Sequence, residues 1–394
     1  MCLMLVRYSS AVTQLDVTNF GAVGDGMTDD THAFLKAWKA VCSSTRQFPT
    51  LTVSEGKTFY VQPLHFQGPC KSRKIHVKMN GAFLAPKKKD WKICDDVWKT
   101  FSSINGLTVN GNGKFIGQGA SWWGSAGDDD SQSVRFDNCK NLQLSGVTSI
   151  NSAMGHFSII GCDRANISGL YMKAPKWSPN TDGIDLSKAF GVVIHNCTMA
   201  TGDDCISVGG GIKNLTITRI RCGPGHGISI GSLGKYGRYE TVENVLVRGC
   251  IFTDVQNGAR IKTWQGGSGH VTGIKYDNII LRDAQRPIII DQSYCPDRHC
   301  KLTRGTNLKI NNVSFTNFRG MTATLRAITL NCSSYRGGCT RVALKNVIIR
   351  KGIISAEGSP EGDDDVERCD KVYAYCKNAH GSATATIPKV PCLT

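Results

Sequence analysis

The sequence predicts an all-β fold, a single-stranded right-handed parallel β-helix with an N-terminal capping helix. The main observation is a short phrase, a polar turn followed by alternating apolar residues, that recurs nine times at intervals of roughly 22 to 38 residues. Such a period is typical of solenoids whose coils stack on one another. The copies are residues 104–109, 140–144, 165–167, 191–194, 213–217, 243–247, 273–276, 307–310 and 345–349. The strands of a β-sandwich, the alternative fold, recur about every 8 to 12 residues and lack this phrase.

The chain is predicted to have three parts in order. Residues 1–14 hold only a short apolar run and are interpreted as the remnant of a secretory leader. Residues 15–394 form the predicted β-helix domain, which begins with an amphipathic helix at about 30–42, capped by Asp30 or Thr31. This helix would cover the open end of the first coil. Its predicted buried face is Ala33, Phe34, Ala37, Trp38 and Val41. Residues 360–394 are predicted to be an acidic loop and a disulfide-tied tail.

The chain is strongly basic. Lysines and arginines number 47 against 31 aspartates and glutamates, a formal net charge of +16. This charge favours a polyanionic partner. Nucleic acid, acidic lipid and acidic polysaccharide all fit, as does a solvated basic surface. The sequence carries no recognised nucleic-acid motif and no apolar run of about 18 residues that would predict a membrane span. We therefore expect neither nucleic acid nor a membrane as the partner.

Cysteine usage favours an oxidising compartment. The chain has 17 cysteines, many for a reducing environment. Three groups have spacings that suit small disulfide loops: Cys295 with Cys300, Cys332 with Cys339, and Cys369, Cys376 and Cys392. N-glycosylation sequons occur at Asn166, Asn196, Asn214, Asn312 and Asn331. Together these features predict a secreted, extracellular protein.

Two aspartates and a histidine recur in the sequence at one constant interval. Asp182, Asp204 and His226 are 22 residues apart in succession, and coils of 22 residues would stack them about 4.8 Å apart in one column. Asp203 would lie beside the column. Carboxyl groups this close cannot all ionise freely, so one should have a raised pKa while its neighbours stay ionised. Glycoside hydrolysis uses a protonated carboxyl to protonate the leaving oxygen and an ionised one to activate water.

Four short motifs carry these residues in a fixed order along the chain. They are Asn180-Thr181-Asp182-Gly183, Gly202-Asp203-Asp204-Cys205, Gly225-His226-Gly227 and Arg260-Ile261-Lys262. The strings resemble the signature motifs of the polygalacturonases, and the resemblance runs from about residue 15 to beyond Tyr294. Residues 21–26, 33–38 and 288–296 are also similar to the plant pollen exopolygalacturonases.

The resemblance implies catalytic roles. Asp203 is expected to be the general acid, and His226 to tune that acid or shuttle its proton. Asp182 and Asp204 are expected to activate the attacking water.

The resemblance also implies residues that bind the substrate. Arg260 and Lys262, two apart on one strand and therefore on the same face, are expected to bind the carboxylate of a galacturonate unit. Tyr294 matches a tyrosine that contacts the substrate. Asn180 is expected to contact or orient nearby groups.

Stereochemistry does not follow from the coil spacing. The family inverts the anomeric centre, which requires carboxyl groups about 6.5 to 9.5 Å apart, whereas neighbouring coils lie about 4.8 Å apart. Successive strand residues also point to opposite faces, so Asp203 and Asp204 both face the cleft only if the chain bends, which Gly202 would permit. The resemblance implies a disulfide between Cys205 and Cys222, with core thiols as the alternative.

The resulting hypothesis is a secreted polygalacturonase that hydrolyses the α-1,4 bonds of de-esterified pectin with inversion. We expect no metal or other cofactor and a monomer. Similarity to the pollen enzymes implies exo action from the non-reducing end. Endo action is the alternative, and the insertions at 231–238 and 295–300 are candidates for loops that close one end of the cleft. A calcium-dependent pectate lyase and a non-catalytic binder of wall polyanions are the rival interpretations.

Overall fold

The computed structural model describes residues 14–92, 97–124, 132–296, 300, 307–352 and 371–393. Its strands pair in parallel with strands of the preceding and following coils, which builds three long sheets along one axis. The predicted parallel β-helix is therefore confirmed. Gln14, which the sequence assigned to the leader, begins the first strand. Residues 1–13, the acidic run 361–365 and Cys369 lie outside the described residues.

Each complete coil contributes one strand to each sheet. Sheet 1 contains Leu64–Gln67, Val97–Ser102, Gln132–Asp137, Phe157–Ile160, Ile184–Ser187, Ile206–Val208, Ile228–Leu233, Arg326–Asn331 and Tyr373–Lys377. Sheet 2 contains Gln14–Asp16, Thr50–Val53, Ile75–Met79, Leu107–Asn110, Lys140–Ser145, Asp163–Ser168, Phe190–His195, Ile212–Thr218 and Tyr239–Arg248. Sheet 3 contains Asp25–Asp29, Thr58–Tyr60, Ala82–Leu84, Lys114–Ile116, Thr148–Ile150, Tyr171–Lys173, Thr198–Ala200 and Arg221–Cys222.

Toward the C-terminus the strands become long enough to pass from one sheet to the next. They are Ile251–Trp264, Ser268–Tyr294, Asn307–Thr322, Cys339–Lys351 and Ala379–Ile387. Short 3₁₀ turns occur at Val17–Phe20, Lys88–Asp90, Gly119–Ser121, Lys235–Gly237 and Tyr335–Gly337. The longest strand, Ser268–Tyr294, contributes to all three sheets.

The recurring phrase marks the start of the sheet 2 strands, and its first seven copies stack in register. The last two copies of the phrase, at 307–310 and 345–349, do not stack in register with the first seven. Val313, not Leu308, continues the column of Ile274, and Val347 lies in sheet 3 beside Phe318. For the copy at 345–349 the reason is that asparagine with positive φ occurs both before sheet 2, as at Asn312, and before sheet 3, as at Asn346.

The N-terminal helix spans Thr31–Cys42, and its buried face is the predicted one, Ala33, Phe34, Ala37, Trp38 and Val41. Phe34 packs against Phe59 and Phe83 of the first coils, with ring centroids 5.3 and 4.8 Å apart. Asp30 stands at the N-cap position but does not cap the helix. Its carboxylate instead accepts the backbone N–H groups of Val23 and Gly24, which fastens the preceding loop to the start of the helix.

Inward-facing residues of successive coils stack directly on one another. In sheet 1 the rings of Phe66, Phe101 and Phe136 are nearly parallel, with centroids 4.6 and 5.2 Å apart. All three are buried. Removing one such ring would leave a cavity and cost about 3–5 kcal/mol.

A lysine also points into this core. Lys99 pairs in register with Leu64 and Val134 and is 0% exposed. Its ammonium nitrogen donates to the carbonyl oxygens of Gln62 and Trp98, at 3.0 and 3.3 Å. These partners are neutral, and burial lowers the pKa of Lys99 well below its ordinary value.

Disulfides close loops along the coil. The predicted pairs Cys295–Cys300, Cys332–Cys339 and Cys205–Cys222 are present, and Cys376 pairs with Cys392. Cys42–Cys70, which ties the helix to the loop beneath it, was not predicted. Among the described cysteines, four remain as buried thiols: Cys139, Cys162, Cys197 and Cys250.

Candidate active site

The predicted catalytic residues lie at one corner of the coil, where the chain enters sheet 1. Asp182, Asp204 and His226 each stand two residues before a strand of this sheet, and those strands begin with Ile184, Ile206 and Ile228. The three isoleucines pair in register. A coil of 22 residues therefore does bring the three side chains to neighbouring levels of one corner.

Asp203 and His226 are in direct contact. The Nδ1 atom of His226 lies 2.8 Å from Oδ1 of Asp203, which also accepts the backbone N–H of Asp204 at 2.7 Å. Ligand atoms of Asp203, Asp204 and His226 all lie within 4.8 Å of one another. The imidazole is thus placed to exchange a proton with Asp203 and to orient its carboxyl group.

The chain bends at this point, as two adjacent carboxylates require. Residues 201–205 lie outside the strands. The function of Gly202 differs from the predicted one, because a Cβ there would lie only 1.9 Å from the carbonyl oxygen of Ser178. Close approach of two backbones, rather than an unusual φ, demands this glycine. Its N–H donates to Oγ1 of Thr181 at 2.9 Å, which ties two neighbouring corners together.

Asp204 is 1% exposed and is surrounded by donors. The Arg260 guanidinium donates to Oδ1 at 2.5 Å and the Lys262 ammonium to Oδ2 at 2.9 Å. The Ser229 hydroxyl donates to Oδ1 at 2.8 Å and accepts from Nε of Arg260. Burial alone would raise the pKa of Asp204, but the two cations outweigh it and lower that pKa. Asp204 is therefore the carboxylate held ionised.

Arg260 and Lys262 were predicted to bind a substrate carboxylate, and in this structure both contact Asp204. Each is 8% exposed. The two cations therefore form the positive side of the cluster, and a second anion that reaches the same cleft would meet them there.

The pKa of Asp182 is shifted in the opposite direction to that of Asp204. Burial raises its pKa well above the ordinary value, and the nearby carboxyl groups of Asp185, Asp203 and Asp204 raise it further. Burial likewise raises the pKa of Asp185 to about 7, although hydrogen bonds from Asp182 and Ser207 oppose that rise. The corner thus combines an ionised carboxylate with carboxyl groups that retain protons.

Asp185 was not singled out from the sequence, and the signal that finds it is the same spacing. Asp185, Ser207 and Ser229 are also 22 residues apart in succession, and they pair in register on sheet 1. Applying the coil spacing to hydroxyl groups as well as to charged groups identifies this second column. Ser229 is the residue of this column whose hydroxyl donates a hydrogen bond to Asp204.

Two predicted substrate contacts lie at the edges of the cluster. Tyr294 ends the longest strand, with the Lys262 ammonium 5.3 Å from its ring centroid and the Trp264 ring at 5.7 Å. Asn180 is exposed, has φ of 51°, and lies two residues before Asp182. Cys205 directly follows Asp204 in the sequence, and its disulfide to Cys222 ties this segment to the next coil.

The same cluster offers ligands of the kind that bind metals, namely Asp203, Asp204 and His226. Both Asp204 oxygens, however, already accept hydrogen bonds from cationic groups. The Asp204 carboxylate is therefore already bound by the chain's own cations.

A cluster of carboxyl groups whose pKa values are shifted in opposite directions, on a parallel β-helix, suits the class of hydrolases that cleave glycosidic bonds by acid/base catalysis. Comparison with known families is more specific. Residues 42–374 match the model of "Glycosyl hydrolases family 28", and the chain belongs to that family. It is therefore a glycoside hydrolase, as the motifs indicated.

The relatives agree with this assignment, and a solved structure agrees with the fold. A "Probable polygalacturonase" of Arabidopsis thaliana is 44% identical over 99% of this chain and 83% of its own length. An "Exopolygalacturonase" of Platanus acerifolia is 38% identical over 82% and 87%. Among solved structures, an exopolygalacturonase from Thermotoga maritima superposes with a TM-score of 0.71 at 18% identity, covering 86% of this chain and 87% of its own. That structural likeness supports the fold. Across the described residues, every helix is too short or too polar to cross a bilayer.

Proposed function

We propose that the chain hydrolyses the α-1,4-galacturonosidic bonds of de-esterified pectin. The proposal is supported by relatives named as polygalacturonases that cover most of the chain. The observation that carries it is Asp204, held ionised by two cations beside the Asp203–His226 pair. This arrangement supplies a base, an acid and a positive field for an acidic sugar within one corner.

In the proposed reaction Asp203 donates a proton to the glycosidic oxygen as the bond to the anomeric carbon breaks. His226, 2.8 Å from Asp203, supports that donation and returns a proton afterwards. Asp204 accepts a proton from the attacking water. Asp182 has a raised pKa and contributes by hydrogen bonding and orienting the water while Asp204 serves as the base.

Arg260 and Lys262 have two roles in this proposal. They keep Asp204 ionised, and their donor groups bind the carboxylate of the galacturonate unit in the cleft. Tyr294, whose ring lies 5.3 Å from the Lys262 ammonium, would contact the same sugar. Asn180 would bind at the outer edge. Methyl esterification removes the substrate's charge, so fully esterified pectin should be a poor substrate.

We further propose inversion and exo action from the non-reducing end. Inversion is the family's chemistry, and exo action is supported by the relative named exopolygalacturonase. Endo action is the second candidate. The insertion at 231–238 is well placed for a loop that restricts the cleft, because Lys235 lies 5.6 Å from the ring of Trp264, which in turn contacts Tyr294.

Replacement of Asp203 by asparagine tests the acid assignment. We expect Asp203→Asn to abolish release of reducing sugar from polygalacturonate while circular dichroism and melting temperature stay close to the unchanged protein. Asp163→Asn, on the outer edge of sheet 2, is the matched control and should retain full activity. Undiminished turnover by Asp203→Asn would remove the assignment.

A second experiment separates hydrolysis from the lyase alternative. A hydrolase should be insensitive to a chelator and should release no unsaturated product that absorbs in the ultraviolet.

Secretion to the cell wall and a monomeric state complete the proposal. Five disulfides among the described residues suit an oxidising compartment. The net charge of +16 suits a matrix of acidic polysaccharide.

A further inference from the structure

Four of the chain's seven tryptophans form two edge-to-face pairs near the candidate active site. The ring centroids of Trp123 and Trp177 are 5.3 Å apart, and those of Trp91 and Trp122 are 5.0 Å apart. Trp122 and Trp123 are consecutive, so the two pairs adjoin each other on the connections between sheets 3 and 1. We call it the tryptophan band, made of Trp91, Trp122, Trp123 and Trp177.

The band adjoins the corner that carries the catalytic candidates. Trp177 belongs to the same connection between sheets 3 and 1 as Asp182, five residues before it. Trp123 belongs to the equivalent connection two coils toward the N-terminus, before the strand Gln132–Asp137. Two coils correspond to about 10 Å along the axis. The band therefore extends the candidate cleft toward its N-terminal end.

The two tryptophans of the inner pair differ in how they are held. The indole N–H of Trp123 donates to the carbonyl oxygen of Ala153 at 3.1 Å. A Cβ at Gly119 would lie 2.6 Å from the Trp123 ring, so that glycine makes room for it. Trp177, in contrast, is 71% exposed. A fixed tryptophan thus contacts a second one that is mostly open to solvent.

Basic residues accompany the aromatic rings. The Lys88 ammonium lies 5.6 Å from the centroid of the Trp122 ring, and Lys87 and Lys89 on either side are exposed. The apolar face of a sugar ring packs on an aromatic face, while a carboxylate on that sugar is attracted by lysines. A uronic acid polymer satisfies both features, whereas a neutral polysaccharide uses only the first.

We propose that the tryptophan band is a remote subsite of the cleft, where Trp177 stacks on a galacturonate ring that is not cleaved and the adjacent lysines attract its carboxylate. The inference rests on the proposed function, because it takes the substrate to be a galacturonate polymer. Its consequence is a dependence on chain length: long substrates reach the band, and the shortest cleaved oligomer does not.

The test measures kcat and KM of Trp177→Ala for oligogalacturonates of increasing length and for polygalacturonate. We expect KM for the polymer to rise about five- to tenfold, the effect of losing one aromatic contact, with kcat within about twofold. KM for the shortest cleaved oligomer should be unchanged. Trp177→Phe, which keeps a ring, should retain most of the affinity. Tyr171→Ala, an exposed aromatic of the same coil on sheet 3, is the matched control and should behave as the unchanged protein.

Two outcomes overturn the inference: an unchanged KM for the polymer, or an equal loss for every oligomer, which would indicate a disturbed Asp182 instead. Calorimetric binding of polygalacturonate to the unchanged chain and to Trp177→Ala keeps the two proposals apart. If the unchanged chain cleaves nothing, the proposed function fails. The binding comparison still decides the subsite, since a Kd unaltered by Trp177→Ala contradicts it and a weakened one supports it.

Discussion

The carboxylate of Asp204 lies 2.9 Å from the Lys262 ammonium, although the two residues are 58 positions apart in the sequence. Arg260 approaches the other oxygen of the same carboxylate. At 1% exposure, Asp204 would otherwise be an unpaired buried charge, which is strongly destabilising. The two cations therefore hold in place the one carboxylate that the proposed reaction needs in its ionised form.

Replacing Lys262 by methionine should raise the pKa of Asp204, because one of the two charges that lower it is removed. Asp204 must then lose its proton at higher pH. We expect the acidic limb of the kcat profile against pH to move up by about one unit. Lys262→Arg, which keeps the charge, should restore the position of the limb. A methionine variant with an unshifted limb would show that Asp204 is not the titrating base.

Replacing Asp185 by asparagine should lower the pKa of Asp182, because the Asp185 carboxyl has the largest effect among the charged groups that raise it. If the protonated form of Asp182 is active, the basic limb of the pH profile should move to lower pH. Ser207→Ala, one position along the same column, is the control, since it removes a hydrogen bond without removing a charge. Identical profiles for the two variants would contradict the electrostatic role of Asp185.

Asp185→Asn should also change the pH dependence of stability. The pKa of Asp185 is about 7 in the folded chain, above its ordinary 3.8, so the folded state binds this proton more tightly than the unfolded state. The free energy of unfolding therefore falls as pH rises through that window. We expect the variant to gain stability relative to the unchanged protein as pH rises from about 4 to about 7, measured by urea unfolding. A constant difference across that range would contradict the raised pKa.

Lys99→Met tests the buried lysine of the N-terminal coils. Because burial lowers the pKa of Lys99, the unfolded state binds its proton more tightly, and this lysine costs stability as pH falls below its ordinary 10.5. The methionine variant should therefore gain in relative stability as pH falls from about 10 to about 6. Lys114→Met, an exposed lysine on sheet 3, should show no such trend. Parallel stability curves for Lys99→Met and the unchanged protein would refute the prediction.

Removing the Cys205–Cys222 disulfide should destabilise the corner that holds Asp204. Its sequence separation of 17 residues corresponds to about 3 kcal/mol of unfolded-state entropy. We expect Cys205→Ala/Cys222→Ala to lose this stability and to lower kcat. Cys332→Ala/Cys339→Ala, remote from the corner in sequence, should lose stability without a comparable loss of kcat. Equal losses of kcat in both double variants would indicate a global effect.

The repeating parts of the fold and site were predictable because coil length is constant where connections are short. A 22-residue period links Ile184, Ile206 and Ile228, and the catalytic corner follows from it. The period fails where an insertion intervenes. Arg260 follows its register partner Ser229 by 31 residues, because the 231–238 insertion lengthens that coil, so spacing alone could not pair Arg260 and Lys262 with Asp204.

Other contacts could not be predicted from the sequence because the two residues of each pair lie in different connections. The Trp123–Trp177 contact joins two loops of irregular length, and Cys42–Cys70 joins a helix end to a loop. Neither has a periodic signal in the sequence. The phrase at 345–349 misled for the opposite reason, since asparagine at positive φ occurs before sheet 2 at Asn312 and before sheet 3 at Asn346.

Inverting hydrolysis at the corner of Asp203 and Asp204 is tested by identifying, with nuclear magnetic resonance, the first products released from a defined oligogalacturonate. We expect saturated monogalacturonate, formed initially as the β anomer, from the non-reducing end. Internal cleavage would replace exo by endo action. An unsaturated product, an initial α anomer, or no cleavage would contradict an inverting hydrolysis at Asp203 and Asp204.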